Sequence, residues 1–217
     1  MDALEILSEI APRPTLSLYQ IEVLSVAVTL VVYACMLVIA VGIVKRGSSF
    51  GVPLRNFLSG LIMSSLGIVF AEPGSESTPA GLMNKCGVTV QGFVCLVILA
   101  YSSDFNGDAR LAAVALVVFS LLINLKDHVL LVTLLWSTLH LVYIPGLDYL
   151  RSRKSGVSST PDTLVLTLYL SGSLSLIGWG SYIYLAGSLL LSLPYFLGTA
   201  VSLLSLRDMY ATKIKIA

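Results

Sequence analysis

The sequence predicts an all-α membrane protein with seven transmembrane helices, arranged as two parallel three-helix bundles joined by a linker helix. Three observations predict this fold class: an apolar composition, seven runs of about membrane length, and a pattern that occurs in both halves. Of the 217 residues, 56% are hydrophobic and only 12% are charged, whereas soluble domains carry about 25% charged residues. The mean hydropathy of +0.91 is likewise typical of a chain that lies mostly in lipid.

Seven apolar runs give the predicted spans, since a helix that crosses a bilayer needs about 20 mainly apolar residues. These spans are 21–44, 53–71, 82–101, 111–125, 129–147, 163–184 and 188–206. The fourth is the shortest. The segment 1–20 is a polar lead without a basic n-region, so we expect no cleavable signal. The spans are apolar on all faces, so their periodicity does not indicate which side packs inward.

The distribution of basic residues predicts the orientation. With the N-terminus outside, ten of the thirteen Lys and Arg residues fall in cytosolic segments, as the positive-inside rule requires. The segment 207–217 is then a cytosolic tail. The net charge of +1 and the lack of a long basic run exclude nucleic acid as a partner.

The two halves share one pattern: a helix end, a basic cluster, a Gly/Ser turn and a proline at the next helix start. Pro161 follows Pro53 by 108 residues, and Gly198 follows Gly87 by 111 residues. A proline suits the first position of a helix, where its missing N–H is not needed. Because each unit has three spans, one connecting helix gives both units the same orientation. The predicted parts are a first bundle at 21–101, a linker with the fourth helix at 102–127, and a second bundle at 128–206.

Two short motifs then suggest a family. The third span reads Met83-Asn84-Lys85-Cys86-Gly87-Val88, with Gln91 following, and the last span contains Pro194-Tyr195-Phe196-Leu197-Gly198. These segments resemble the VN-x-x-G helix and the N-F-x-G segment of the SWEET sugar transporters, in particular the animal branch. Trp179 stands 16 residues before Tyr195, which resembles the spacing between the family's second-unit Trp and its last-helix Asn. SWEET transporters are themselves a standard example of parallel repeats, and the resemblance implies their MtN3/PQ-loop-like fold.

The resemblance implies a bidirectional facilitative transporter, a uniporter of mono- or disaccharides that works by alternating access between the two bundles. It implies substrate-binding roles for Asn84, Tyr195 and Trp179. It also implies hinge roles for three prolines, which are Pro53, Pro145 and Pro161. The sequence departs from the family at two points: Tyr195 replaces the usual Asn, and the stretch 64–68 lacks the first-unit Trp.

Each of these residues also has a simpler structural interpretation. Asn84 could serve an interhelical hydrogen bond, and Trp179 could belong to the aromatic belt at the membrane interface. Gly87 and Gly198 are predicted to let helices approach closely. Glu22, near the start of the first span, is expected to lie at the interface.

The sequence favours no enzymatic function, no cofactor and no metal. No histidine cluster, carboxylate pair or activated nucleophile lies in the spans, and His128 and His140 are isolated from other metal ligands. The three cysteines are interpreted as small buried hydrophobes. The expected partners are a sugar and the lipid bilayer, in the plasma membrane or in a Golgi or vesicle membrane. Whether the chain forms a homo-oligomer is left open.

Three other functions fit the sequence less well. A PQ-loop-type carrier of another polar solute, such as an amino acid, typically shows a Pro-Gln pair, whereas Gly146 follows Pro145 here. A retinal photoreceptor needs a lysine in its last helix, and the span 188–206 has none. An enzyme acting on lipids would need catalytic groups that the spans do not contain.

Overall fold

The computed structural model describes residues 17–50, 52, 54–70, 78–125, 128, 131–134, 137 and 163–216. Three predicted hinge prolines, Pro53, Pro145 and Pro161, lie outside the described residues, as does His140. Most of the predicted fifth span also lies outside them.

The described residues are helical throughout, apart from short turns, and contain no strand. The helices are α1 (Leu18–Arg46), α2 (Leu54–Val69), α3 (Pro79–Ala100), α4 (Phe105–Asn124), α5 (described only at 131–134 and 137), α6 (Thr163–Leu185) and α7 (Leu189–Ile216). Each predicted span therefore has a helix. Among the described helices, α1, α3 and α4 are long and apolar enough to cross a membrane.

Capping residues explain where α1 begins and ends. The Ser17 hydroxyl accepts a hydrogen bond from the Gln20 backbone at 3.3 Å, and the Gln20 side chain accepts one from the Ser17 backbone at 2.8 Å. This reciprocal capping satisfies two donors that a helix start leaves unpaired. Gly47 ends the helix with a φ of 65°, a left-handed conformation that glycine adopts without strain. The helix thus begins three residues before the predicted span.

The fourth span was predicted to begin at 111 and to be the shortest, and both expectations are wrong. Helix α4 begins at Phe105 and has 20 residues, whereas α2 has only 16. The Asp104 side chain caps α4 by accepting from the Gly107 backbone at 3.1 Å. A rule based on apolar length missed this start because the first turn of α4 is polar. At the other end of the chain, α7 continues through the predicted tail to Ile216, with Pro194 inside it.

In the first unit, α3 packs against both α1 and α2. Gly67 of α2 lies against Asn84 of α3, and Gly60 lies against Gln91, so α2 and α3 are antiparallel. Helices α1 and α3 are parallel, since Glu22 near the start of α1 contacts Ala80 at the start of α3, and Ser49 after α1 contacts Tyr101 at the end of α3. Helix α1 also packs against α6, and α6 packs against α7. The contact between α1 and α6 joins the first unit to the second.

A tightly packed apolar core lies toward the C-terminal end of α1. Leu66, Val94 and Ile98 are fully buried there. The core draws residues from α1 to α5: Ala40, Ile43, Leu54, Phe57, Leu58, Ile62, Leu66, Val94, Cys95, Ile98, Ala115, Leu122 and Val132. Outside this core, large apolar side chains such as Leu96 and Leu116 are two-thirds exposed, as expected for surfaces that face lipid. The packed core leaves the other half of the bundle for a cavity.

Candidate functional site

A cavity of about 480 Å³ lies between α1, α2, α3, α6 and α7. Its walls therefore come from both units. Among the described residues that line it, none carries a charge. Its polar lining includes Thr29, Tyr33, Ser64, Asn84, Gln91, Ser175, Trp179 and Tyr195. Such a cavity offers neutral hydrogen-bonding groups and aromatic rings to a ligand.

The structure brings the three residues predicted to bind substrate to this one cavity. Asn84 comes from α3, Trp179 from α6 and Tyr195 from α7. Asn84 is far from Trp179 and Tyr195 in the sequence, and the packing of α1 on α3 and α6 and of α6 on α7 brings the three together. Their roles as ligands stay a prediction, since the structure shows their placement only.

The Asn84 side chain is half-buried and lies against Gly67 of α2. A Cβ built at Gly67 would come within 2.6 Å of Asn84 Cγ and 2.7 Å of Asn84 Oδ1. No real Cβ contact is that short, so only a glycine at position 67 leaves room for the amide where it now lies. The glycine thereby positions the amide on the cavity wall.

Gly87 of α3 lies where side chains of α1 and α2 come close to its backbone. A Cβ built there would collide with the Ser64 hydroxyl of α2 and the Tyr33 hydroxyl of α1. The Tyr33 hydroxyl also donates a hydrogen bond to the Met83 carbonyl at 3.2 Å, which connects α1 to α3. The other glycine of the sequence prediction, Gly198, is buried in α7.

Trp179 is anchored across the contact between α1 and α6. Its indole Nε1–H donates to Thr29 Oγ1 at 2.9 Å, and the Thr29 hydroxyl also lies 2.8 Å from the Ser175 hydroxyl. The Tyr182 ring packs edge-on against the indole, with a centroid distance of 5.8 Å and an interplanar angle of 88°. This placement favours a role in the cavity wall over the aromatic belt. Because its N–H is engaged, Trp179 offers its ring to a ligand.

Tyr195 lies where the cavity meets the apolar core. It packs against Gly180 of α6, where a Cβ would stand 3.0 Å from Tyr195 Cβ. The Thr199 hydroxyl donates to the Tyr195 carbonyl at 2.9 Å. Tyr195 therefore packs against α6 from its place on α7, inside the bundle.

Glu22, which was expected at the membrane interface, makes a contact between two helices. Its side chain is 8% exposed, and Oε1 accepts a hydrogen bond from the Ala80 backbone N–H at 3.1 Å. Ala80 lies in the first turn of α3, where backbone donors lack partners within the helix and a negative charge is stabilised. Hydropathy cannot reveal this role, because it depends on a contact between two helices.

Sequence reasoning also missed several cavity residues. Thr29 and Ser175 carried no signal, because isolated hydroxyl residues are common in membrane helices. Gln91 was noted only as part of a motif. Outside the cavity, the described residues contain no group of three His, Cys, Asp or Glu side chains that could hold a metal ion. Of the cysteines, Cys35 and Cys95 are buried as expected, whereas Cys86 is exposed.

These helices define an all-α membrane protein of seven transmembrane helices, with two parallel three-helix bundles and a linker helix. The same fold occurs in a eukaryotic SWEET transporter whose structure was solved at 3.7 Å resolution. It aligns with 88% of this chain and 97% of its own chain, with a TM-score of 0.58 and 14% sequence identity. The likeness confirms the predicted fold class. No protein-family model matches the sequence, and no curated protein matches it.

Proposed function

We propose that the protein is a bidirectional facilitative sugar transporter, a uniporter of mono- or disaccharides. The observation that carries this proposal is a cavity between the two units, mainly apolar but with neutral polar groups on its walls, among them Asn84, Trp179 and Tyr195. None of its described lining residues is charged. The SWEET-like fold supports it as well. The protein acts by binding and release without covalent chemistry, so it is not an enzyme.

The chemistry of the cavity suits a sugar. An amide such as that of Asn84 both donates and accepts hydrogen bonds, as does each sugar hydroxyl. The Trp179 ring provides an apolar surface against which the C–H face of a pyranose can pack. Tyr195 closes the cavity next to the apolar core. Together these groups match a neutral ligand with alternating polar and apolar faces.

An amino-acid carrier of the PQ-loop type fits these observations less well. An amino acid is charged at both of its main-chain groups, and none of the described cavity residues is charged. The start of α3 could bind the carboxylate of an amino acid only if its backbone N–H groups had no other partner. There the Ala80 N–H already bonds Glu22, and the Gly81 N–H already bonds the Thr78 hydroxyl at 3.1 Å. Glu22 therefore serves the helix start and does not line the cavity.

The division between cavity and core supports alternating access. The cavity lining includes residues at the Glu22 end of the bundle, such as Thr78 and Tyr182, while the apolar core fills the opposite end. With the N-terminus outside, as the basic residues predict, this is an outward-facing state. Rocking of the two bundles about prolines at 53, 145 and 161 would open the other end. The compartment is the plasma membrane or a Golgi or vesicle membrane.

The test is uptake of radiolabelled glucose and sucrose by transporter-deficient cells that express the full chain. We expect saturable uptake of at least one sugar, unaffected by a protonophore, and efflux from preloaded cells. Asn84→Ala and Tyr195→Ala should each reduce uptake at equal surface expression. Asn124→Ala and Tyr184→Ala are matched controls, because both side chains are exposed and neither lines the cavity. Absence of uptake of both sugars, with protein at the surface, would refute the proposal.

A further inference from the structure

Gln91 is a second amide on the cavity wall. It follows Asn84 by seven residues on α3, so both lie on the same face of the helix, roughly 10.5 Å apart along its axis. Gln91 lies near the middle of α3, whereas Asn84 lies closer to its start. Parallel-repeat carriers, of which SWEETs are a standard example, bind their substrates near the middle of the membrane. Gln91 therefore lies at the depth where a substrate contact is expected.

The Gln91 side chain is buried, and its carbonyl oxygen lacks a hydrogen-bond partner. It is only 5% exposed, and its Oε1 is the one fully buried side-chain atom without a hydrogen-bond partner among the residues that the structure describes. Buried polar atoms in folded proteins are nearly always paired, because an unpaired acceptor is costly. The side chain also borders the cavity, so a turn of the amide would bring this acceptor to a bound ligand.

A glycine keeps this amide in place, as Gly67 does for Asn84. A Cβ built at Gly60 of α2 would stand 2.7 Å from Gln91 Oε1 and 2.9 Å from Gln91 Nε2. Two amides on one face of α3 thus each lie against a glycine of α2. The repetition of this arrangement favours a common purpose for Asn84 and Gln91.

We propose that Asn84 and Gln91 form the two ends of a disaccharide-binding site, in which Gln91 Oε1 accepts a hydrogen bond from a sugar hydroxyl. A single pyranose ring is shorter than the separation of the two amides, whereas two linked rings can reach both. The cavity volume of about 480 Å³ is within the range of small-molecule sites. This inference rests on the proposed sugar transport and deepens it by naming the substrate class.

The test measures sugar binding by purified full-length protein in detergent, together with thermal unfolding without sugar. Gln91→Met keeps the length of the side chain but removes the amide. We expect its Kd for sucrose to rise about three- to tenfold, the effect of one lost hydrogen bond, while the Kd for glucose stays unchanged. The Tm without sugar should rise, because the unpaired acceptor is gone. A purely structural glutamine would instead lower the Tm when replaced.

Three further variants strengthen the test. Gly60→Ala should displace the Gln91 amide and weaken sucrose binding, whereas Gly42→Ala has open space around it and should not. Thr89→Val, on an exposed part of α3, should leave both Kd values unchanged. An unchanged sucrose Kd in Gln91→Met overturns the proposal, as does an equal loss for both sugars. Wild-type binding of glucose alone overturns it but leaves the proposed function standing. Binding of neither sugar refutes both.

Discussion

Replacing Thr29 by valine tests the connection between the two units. The substitution keeps the shape and β-branching of the side chain but removes its hydroxyl. That hydroxyl accepts a hydrogen bond from the Trp179 indole at 2.9 Å and lies 2.8 Å from the Ser175 hydroxyl. The Ser25 side chain lies against Gly178 in the same contact. If α1 moved away from α6 to let water reach the polar groups that lose their partner, this packing would be lost.

The expected cost can be estimated from these contacts. A buried polar group that loses its partner destabilises a protein by about 1–3 kcal/mol, but hydrogen bonds between membrane helices average only about 0.6 kcal/mol, with a maximum near 1.7. Trp179 and Ser175 are half-buried beside the cavity, where water can replace part of the lost bonding. The bond from Thr29 to the Ser25 carbonyl lies within one helix and adds little. We therefore expect a loss of about 1–2 kcal/mol in the free energy of unfolding.

A double-mutant cycle in mixed micelles measures this directly. Thr29→Val and Trp179→Phe are made singly and together, and the coupling free energy should be about 0.5–1.5 kcal/mol. Thr89→Val is the matched control, because its hydroxyl donates only to the Lys85 carbonyl within α3 and its side chain is exposed. It should cost less than about 0.5 kcal/mol. Additive effects of the Thr29 and Trp179 variants would show that no such hydrogen bond connects α1 and α6.

Three further substitutions probe the helix contacts. Gly67→Ala should reduce sugar uptake several-fold by displacing the Asn84 amide, whereas Gly42→Ala, with open space around it, should leave uptake unchanged. Glu22→Gln should lower the free energy of unfolding in micelles by about 0.3–2 kcal/mol, because it removes a charge that stabilises the start of α3. Pro194→Ala should raise that free energy, because it restores a backbone donor inside α7, and should slow uptake by stiffening the helix.

Each of these expectations has a result that contradicts it. Equal uptake by the Gly67 and Gly42 variants would mean that the amide position does not matter for transport. An unchanged unfolding midpoint for Glu22→Gln would show that the hydrogen bond to α3 is independent of charge. A less stable Pro194→Ala protein would mean that the proline fits a bend which the fold requires.

Local sequence signals were sufficient for much of the fold. A helix that spans the membrane needs a certain length of apolar chain, which is a property of consecutive residues, so the spans of α1, α3 and α6 could be predicted. The odd number of spans in each unit likewise predicted two units of the same orientation. The start of α4 was missed because Asp104 begins the helix in a polar stretch, which hydropathy does not count.

The contacts within the site needed the tertiary structure. Thr29 and Trp179 are 150 residues apart, and nothing in either stretch of sequence indicates that their side chains meet. The buried positions of Glu22 and Gln91 were equally invisible. The physical reason is that these helices are apolar around their whole circumference. Positions that face lipid and positions that face another helix therefore have similar residues. Only the packing of one helix on another decides which few polar atoms face each other, and which, like Gln91 Oε1, stay without a partner among the described residues.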